Sequence, residues 1–222
     1  MVKAEECLSE RHRIVNKFGN IYWVDYIELG YLAFLTGKLA EAEHYFQQNL
    51  QISDEINDDF TRFVSWRWFG QIAYRQQDYA KAQQCFNKAL TIARAIHRQN
   101  EMAIALTGLG NVACAQRDLV NGRTYFHQAL TLLQKTRALP DLLGVLVGVS
   151  QLRLQEGALE TAAQLLDFVR NHPSLLPLSQ QAAAQVYAQL QTMVPEEKLI
   201  TVQAVGTAMT IEEAIVLALT RS

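Results

Sequence analysis

A chain of 222 residues, half of them hydrophobic, sets 20 Lys and Arg against 22 Asp and Glu. The length supports a sizeable core, and the near-neutral balance excludes a globally basic face for a DNA or RNA backbone. No apolar run reaches the ~20 residues of a membrane helix, and residues 1–13 are charged and amphipathic rather than signal-like. In chain order, AEECLSERHRIVNKFGN within residues 1–19 reads as a half-repeat or capping helix. Its Cys7-Leu8 aligns with Asn49-Leu50 and Ala89-Leu90 of later second helices. No first helix precedes it, so it reads as a true cap or as the cut edge of a longer array. Such an edge leaves an apolar face open and predicts a homodimer through a terminal face.

Four units follow at 23–56, 63–96, 103–136 and 143–176, with a period of 40 residues inside one repeat domain spanning 1–222. The small residues Gly30, Gly70, Gly110 and Ser150 recur at that period. So do Ala42, Ala82, Gly122 and Ala162, and the large Phe46, Phe86, Phe126 and Leu166. A fixed period of small and large residues marks a solenoid, in which each unit buries its apolar face against its neighbours. The glycines are expected where the two helices of a hairpin meet, and the phenylalanines between successive hairpins. Trp66 is assigned to the core by this register.

Each unit reads helix, tight turn, helix. Gly37 and Gly157 suit turn positions needing permissive backbone, and Asp78 and Asp118 suit helix caps. Asn171-His172-Pro173-Ser174 and Pro177 break the fourth second helix early. A degenerate C-terminal pair and capping helix then fill 178–220, from about 179 to 192, from 195 to 205, and over IEEAIVLAL. Thr210 and Glu213 form a capping box that opens the last of these.

Little in the chain resembles catalytic machinery. Cys7, Cys85 and Cys114 form no metal-spaced pair, and their odd number inside helical patterns suggests buried, reduced thiols in a cytoplasmic setting. His12, His44, His97, His127 and His172 are scattered. There is no nucleophile elbow, phosphate loop or metal cluster, so neither enzyme activity, nor metal, nor cofactor is expected. Asp54, Glu55, Asp58 and Asp59 read as a solvated, capping loop, or as a contact for a basic partner.

Within each unit the pattern resembles the tetratricopeptide repeat: Trp66, Phe69, Gly70, Ala73, Ala82, Phe86 and Ala89 in the second unit, Leu106, Leu109, Gly110, Ala113, Gly122, Phe126 and Ala129 in the third. The first unit departs at Asn49, and the fourth is degenerate, with Ser150, Arg153, Leu166 and Val169. The resemblance implies an all-α, right-handed superhelical solenoid of antiparallel helix pairs. The 40-residue period resembles the long-helix variant seen in the sensor regions of maltose-regulator-type bacterial signal-transduction ATPases, in kinesin light chains and in cell-polarity adaptors, and the tail around Gly206, Ala208, Met209 and Glu212-Glu213-Ala214 resembles the C-terminal end of the bacterial group. That likeness implies signal transduction and transcription regulation, an upstream nucleotide-binding domain in the same parent protein, and a protein, peptide or small inducer as the signal. A free-standing adaptor that scaffolds protein assembly is the alternative, and an enzyme with an unrecognised site the remote one. Neither nucleic acid nor membrane is expected as a direct partner.

In such a superhelix the first helices line the concave wall. The 3.6-residue period turns Ile27, Arg67, Thr107 and Val147 inward, then Tyr31, Gln71, Asn111 and Gln151, then Phe34, Tyr74, Cys114 and Leu154. Leu35, Arg75, Ala115 and Gln155 lie beside the last row. The amides of Gln71, Asn111 and Gln151 can donate and accept along a peptide backbone or a polar small molecule. Arg67 and Arg75, one turn either side of Gln71, can hold a carboxylate. Trp68 is either a wedge between buried rows or part of an aromatic floor with Tyr31 and Tyr74.

Overall fold

The computed structural model describes residues 23–220, and among these the regular elements are all helical. They are α1 (Trp23–Leu35), α2 (Leu39–Glu55), α3 (Asp59–Arg75), α4 (Tyr79–Ala95), α5 (Gln99–Ala115), α6 (Leu119–Thr136), α7 (Leu139–Gln155), α8 (Leu159–Arg170), α9 (Pro177–Met193), α10 (Glu196–Ala208) and α11 (Ile211–Leu219). The architecture is an all-α, helix-pair repeat solenoid. The half-repeat read at 1–19, with Cys7 and His12, lies outside the described residues. The chain divides into two compact units, one up to His97 and one from Arg98.

The turns keep a shorter beat than the side chains. Gly37, Asn57, Gln77, His97, Arg117, Arg137 and Gly157 all have positive φ, between 53° and 82°, and follow one another at twenty-residue steps. Each residue ends a helix by reversing the chain in the left-handed region. At five of the turns the next N–H reaches back five residues, from Lys38, Asp58, Asp78, Asp118 and Ala158 to the carbonyls of Ala33, Ser53, Ala73, Ala113 and Arg153, at 2.9–3.0 Å. These are Schellman closures, which satisfy carbonyls that the helix end would otherwise leave unpaired. Asp78 and Asp118 then cap the following helices, accepting from the N–H of Lys81 and Asn121 at 3.0 and 3.2 Å. The next beat falls on Pro177, whose ring fixes φ near −65° and forbids that turn. Pro177 instead opens α9; α8 stops earlier, at Arg170, ahead of Pro173, which cannot continue a helix.

In the first unit α1 packs on α2, α2 on α3 and α3 on α4. The hairpin glycines sit where their pattern predicts: a Cβ on Gly30 would come 2.7 Å from the Phe46 ring, and one on Gly70 2.7 Å from Phe86. Both rings are buried. Full burial of each is worth roughly 1.5–3 kcal/mol, which offsets the helix propensity lost at its glycine. Asn49, which breaks the alanine pattern of Ala89 and Ala129, is buried too, and its Nδ2 donates to Ser65 Oγ at 2.8 Å. Ser65 Oγ in turn donates to the Thr61 carbonyl at 3.2 Å. Two of the four carboxylates of the acidic cluster share one cation, Arg62 meeting Asp54 at 2.7 Å and Asp59 at 2.5 Å, while Asp58 caps α3.

In the second unit α5 packs on α6, α6 on α7, and α7 on α8, with α9 laid against α7 and α8. Phe126 is gripped from two sides. A Cβ on Gly110 or on Gly148 would come 2.5 Å from its ring. α10 closes on α8 through Gly206, where a Cβ would stand 2.7 Å from the Gln164 carbonyl oxygen. Thr207 Oγ1 beside it donates to Asp167 at 2.8 Å. The Thr210–Glu213 capping box forms as its sequence predicts, and the N–H and hydroxyl donors of Thr210 hold the Glu213 carboxyl below its usual range. α11 then buries Ala214, Ile215 and Ala218, and packs on α7 and α8.

Arg153 explains why the fourth repeat departs from its pattern. It stands where the earlier repeats carry Ala33, Ala73 and Ala113, and it is 2% exposed. Its guanidinium donates to Glu156 at 2.9 Å, to the Ala218 carbonyl at 3.2 Å, and to the Thr220 carbonyl. The last carbonyls of α11 are thus capped by a cation from α7, in the sense that the helix dipole favours.

Candidate functional site

In the first unit Tyr31, Arg67, Gln71, Tyr74 and Arg75 all lie half-buried. Tyr31 packs on Trp68 with ring centroids 5.3 Å apart, and the Arg67 guanidinium carbon lies 4.4 Å from the Trp68 ring centroid. Burial raises the Tyr31 phenol above its ordinary pKa, and the charge of Arg67 acts against that rise. Arg75 is committed to the scaffold: its Nη1 donates to the Phe34 carbonyl at 2.8 Å, and its guanidinium carbon sits 4.3 Å over the Phe34 ring. Tyr74 lies against Tyr79, 5.8 Å between centroids. Gln71 makes no side-chain hydrogen bond to another described residue.

Trp68 takes the wedge position. It is 3% exposed, stacks on Phe46 at 5.3 Å with planes 7° apart, and touches Phe34 at 5.2 Å. Trp66, assigned to the core by register, is instead half-exposed. It meets Phe69 edge-on at 5.6 Å, with the Lys88 ammonium 3.9 Å from its ring centroid. The two tryptophans are two residues apart on one helix and so point to different sides.

In the second unit the hydroxyl of Thr107 is turned back on its own helix, donating to the Ala103 carbonyl at 2.7 Å. Asn111 Oδ1 lies over Gly148, 2.9 Å from where a Cβ would stand. Gln151 is already answered from within the unit, since its Nε2 donates to Gln189 Oε1 of α9 at 3.2 Å. Of the amide ladder, then, Gln151 is engaged within its unit, while the side-chain amides of Gln71 and Asn111 make no hydrogen bond to another described residue. The row of Phe34, Cys114 and Leu154, expected to face inward, is core instead, at 0%, 3% and 4% exposure, and Tyr74 alone of that row is half-buried. Val147, from the first row, is likewise core. These positions fall on the side of each helix that meets its hairpin partner and the next hairpin.

Nothing in this chemistry suggests a nucleophile. Cys85 and Cys114 are buried and free, and burial pushes the Cys114 thiol up to about 12, with Glu156 and Asp118 adding to the shift. Among the described residues no group of three His, Cys, Asp or Glu could hold a metal ion, and no helix is long and apolar enough to cross a membrane. The residues that sequence reasoning passes over are Arg153 and Gln189. The first carries a signal, an arginine at a place the repeat reserves for alanine. The second carries none, because α9 lies outside the period.

Residues 22–95 match the family profile described as Tetratricopeptide repeat, so α1–α4 form a tetratricopeptide-family repeat segment. Arrays of this kind are protein-interaction solenoids, in which stacked helix pairs present an extended surface. No curated protein matches the chain.

Proposed function

We infer that this chain is a non-enzymatic adaptor that binds a protein or an extended peptide segment. The binding groups of the first unit are the polar, half-exposed side chains of Tyr31, Arg67 and Gln71; the second unit, taken by itself, offers Asn111. The observation that carries this reading is made in each unit separately. Gln71 and Asn111 hold amides that no described residue engages, on helices whose other faces are packed. An amide placed so can pair with a peptide group in both directions. Arg67 beside Tyr31 adds a cation suited to an acidic side chain. Arg75, Thr107 and Tyr74 support the wall more than they face a ligand, and Trp68 is a buried wedge beneath Tyr31.

The narrower reading, an inducer-sensing arm of a cytoplasmic bacterial signalling or transcription-regulating ATPase with an upstream nucleotide-binding domain, rests on the tail. Of the residues that carry that likeness, Gly206 packs on α8, Glu213 closes a capping box and Ala214 is buried, local duties that any solenoid end can require. The adaptor reading is therefore the one the residues favour. Native mass spectrometry of the chain taken from its host extract tests it, beside the Gln71→Ala/Asn111→Ala and Arg67→Ala/Gln71→Ala/Asn111→Ala variants. A discrete peptide or protein held by the parent chain and lost from both variants is expected. A species retained by both, or a small metabolite in its place, overturns the adaptor reading.

A further inference from the structure

The α2–α3 seam of the first unit is polar where the corresponding seam of the second unit is not. Asn49, Ser53 and Ser65 are wholly buried, and Trp68 nearly so. The Asn49 Nδ2 donates to Ser65 Oγ at 2.8 Å, and Ser53 Oγ turns back to the Leu50 carbonyl at 2.6 Å. Two groups stay unmet. The Asn49 Oδ1 acceptor and the Trp68 Nε1–H donor are both buried without a hydrogen-bond partner. Two periods on, the α6–α7 seam holds Ala129, Leu133, Val145 and Gly148 at those four places, with no polar side-chain atom among them.

A buried acceptor or N–H left unpaired carries its desolvation penalty in the closed seam and regains hydrogen bonds to water when the seam parts. Two groups of the first seam therefore favour its opening, and the second seam has no counterpart to either. The pivot is tied. α2 runs into α3 through Asn57, at φ 53°, where Arg62 donates to Asn57 Oδ1 at 2.9 Å and pairs with Asp54 and Asp59. Beyond the polar pair, Trp68 meets the α1–α2 hairpin through the rings of Tyr31, Phe34 and Phe46. Such contacts lack the directionality of hydrogen bonds and let one helix move against the other.

We propose that the α1–α2 hairpin is a jaw. It swings on the Asn57 turn and widens or narrows the gap between Tyr31 on α1 and Arg67 and Gln71 on α3. The consequence for binding rests on the adaptor reading; the motion itself does not.

Nitrogen relaxation dispersion of the full chain, with no ligand added, reads motion on the μs–ms scale. Exchange at one shared rate is expected at the amides of Asn49, Ser53 and Ser65 and at the Trp68 indole, and none at Ala129, Leu133, Val145 and Gly148. Asn49→Ala/Ser65→Val installs the second seam's pair and is expected to lower the open population about tenfold. Ser65→Ala removes one hydroxyl, strands the rest of the Asn49 amide, and is expected to raise that population about tenfold. Flat profiles in the parent, or equal exchange at the two seams, overturns the proposal. So does a population that fails to fall in the double variant or to rise in Ser65→Ala, the latter deciding alone if the double variant does not fold.

Discussion

In the first unit Phe46 lies flat against the Trp68 indole, with centroids 5.3 Å apart. In the second unit Phe126, at the equivalent place in its repeat, meets Gly148 instead, where a Cβ would come within 2.5 Å. Trp68 and Gly148 stand two periods apart, at the same position of the pattern. On the hairpin side both phenylalanines rest on a glycine, Gly30 or Gly110, so what the repeat holds fixed is the ring and that glycine. The helix that follows can fill the remaining space with the largest side chain or with none, and move its backbone to suit. A solenoid seam is thus specified as a sum of volumes rather than as a set of residues.

The largest test of that comparison is Trp68→Ala. It empties the first seam and should cost about 3–5 kcal/mol, as large aromatic truncations do, read from the urea midpoint and from lost hydrogen-exchange protection in α1–α4. A loss below about 1 kcal/mol would sink the wedge assignment. Next comes Arg153→Ala, which strips the cap from α11. With Glu156 still held by Arg123, the expected loss is roughly 2–3 kcal/mol, and the α11 amides should exchange faster than those of α7. Gly110→Ala and Gly148→Ala each press a methyl into Phe126 and should cost about 1–3 kcal/mol; if Gly148→Ala is neutral, the second seam has slack that the first lacks.

Cys114 gives a pH-dependent test in the second unit. Its thiol is raised from about 9 to about 12 in the folded chain, chiefly by burial. The folded state therefore favours the protonated thiol. That contribution is fully present below pH 9 and is lost as pH rises toward about 12. Stability should fall over that window more in the parent than in Cys114→Ala, and the native thiol should resist iodoacetamide at pH 8. The smallest effect is at the turns. Gln77 and Arg117 hold positive φ where Gly37 and Gly157 hold it without steric cost. Gln77→Gly and Arg117→Gly should each raise stability by about 0.5–1 kcal/mol, and a drop in either would mean the side chain itself braces the turn.

Much of the fold was legible because it obeys local rules. A glycine against a phenylalanine, an aspartate before a helix and a Thr–Glu capping box each carry their reason within a few residues. The candidate site was legible only in part. α3 spreads polar and apolar residues around its whole circumference, so periodicity could not choose between Trp66 and Trp68 for the core. Gln151 read as free because its partner, Gln189, belongs to a helix outside the period. Arg153 looked like decay of the repeat, since its purpose depends on carbonyls 65 and 67 residues away.

The left-handed residues at 37, 57, 77, 97, 117, 137 and 157 make growth of this chain discontinuous. Duplicating forty residues would reproduce every neighbour, glycine face to phenylalanine, and add a unit with no new fitting. Duplicating twenty would keep the turns in step yet oppose like faces, glycine to glycine, and leave holes along the seam. Tandem duplication of whole hairpins is therefore the copying error this architecture tolerates, and Pro177, where the eighth beat falls, opens a helix instead of turning one.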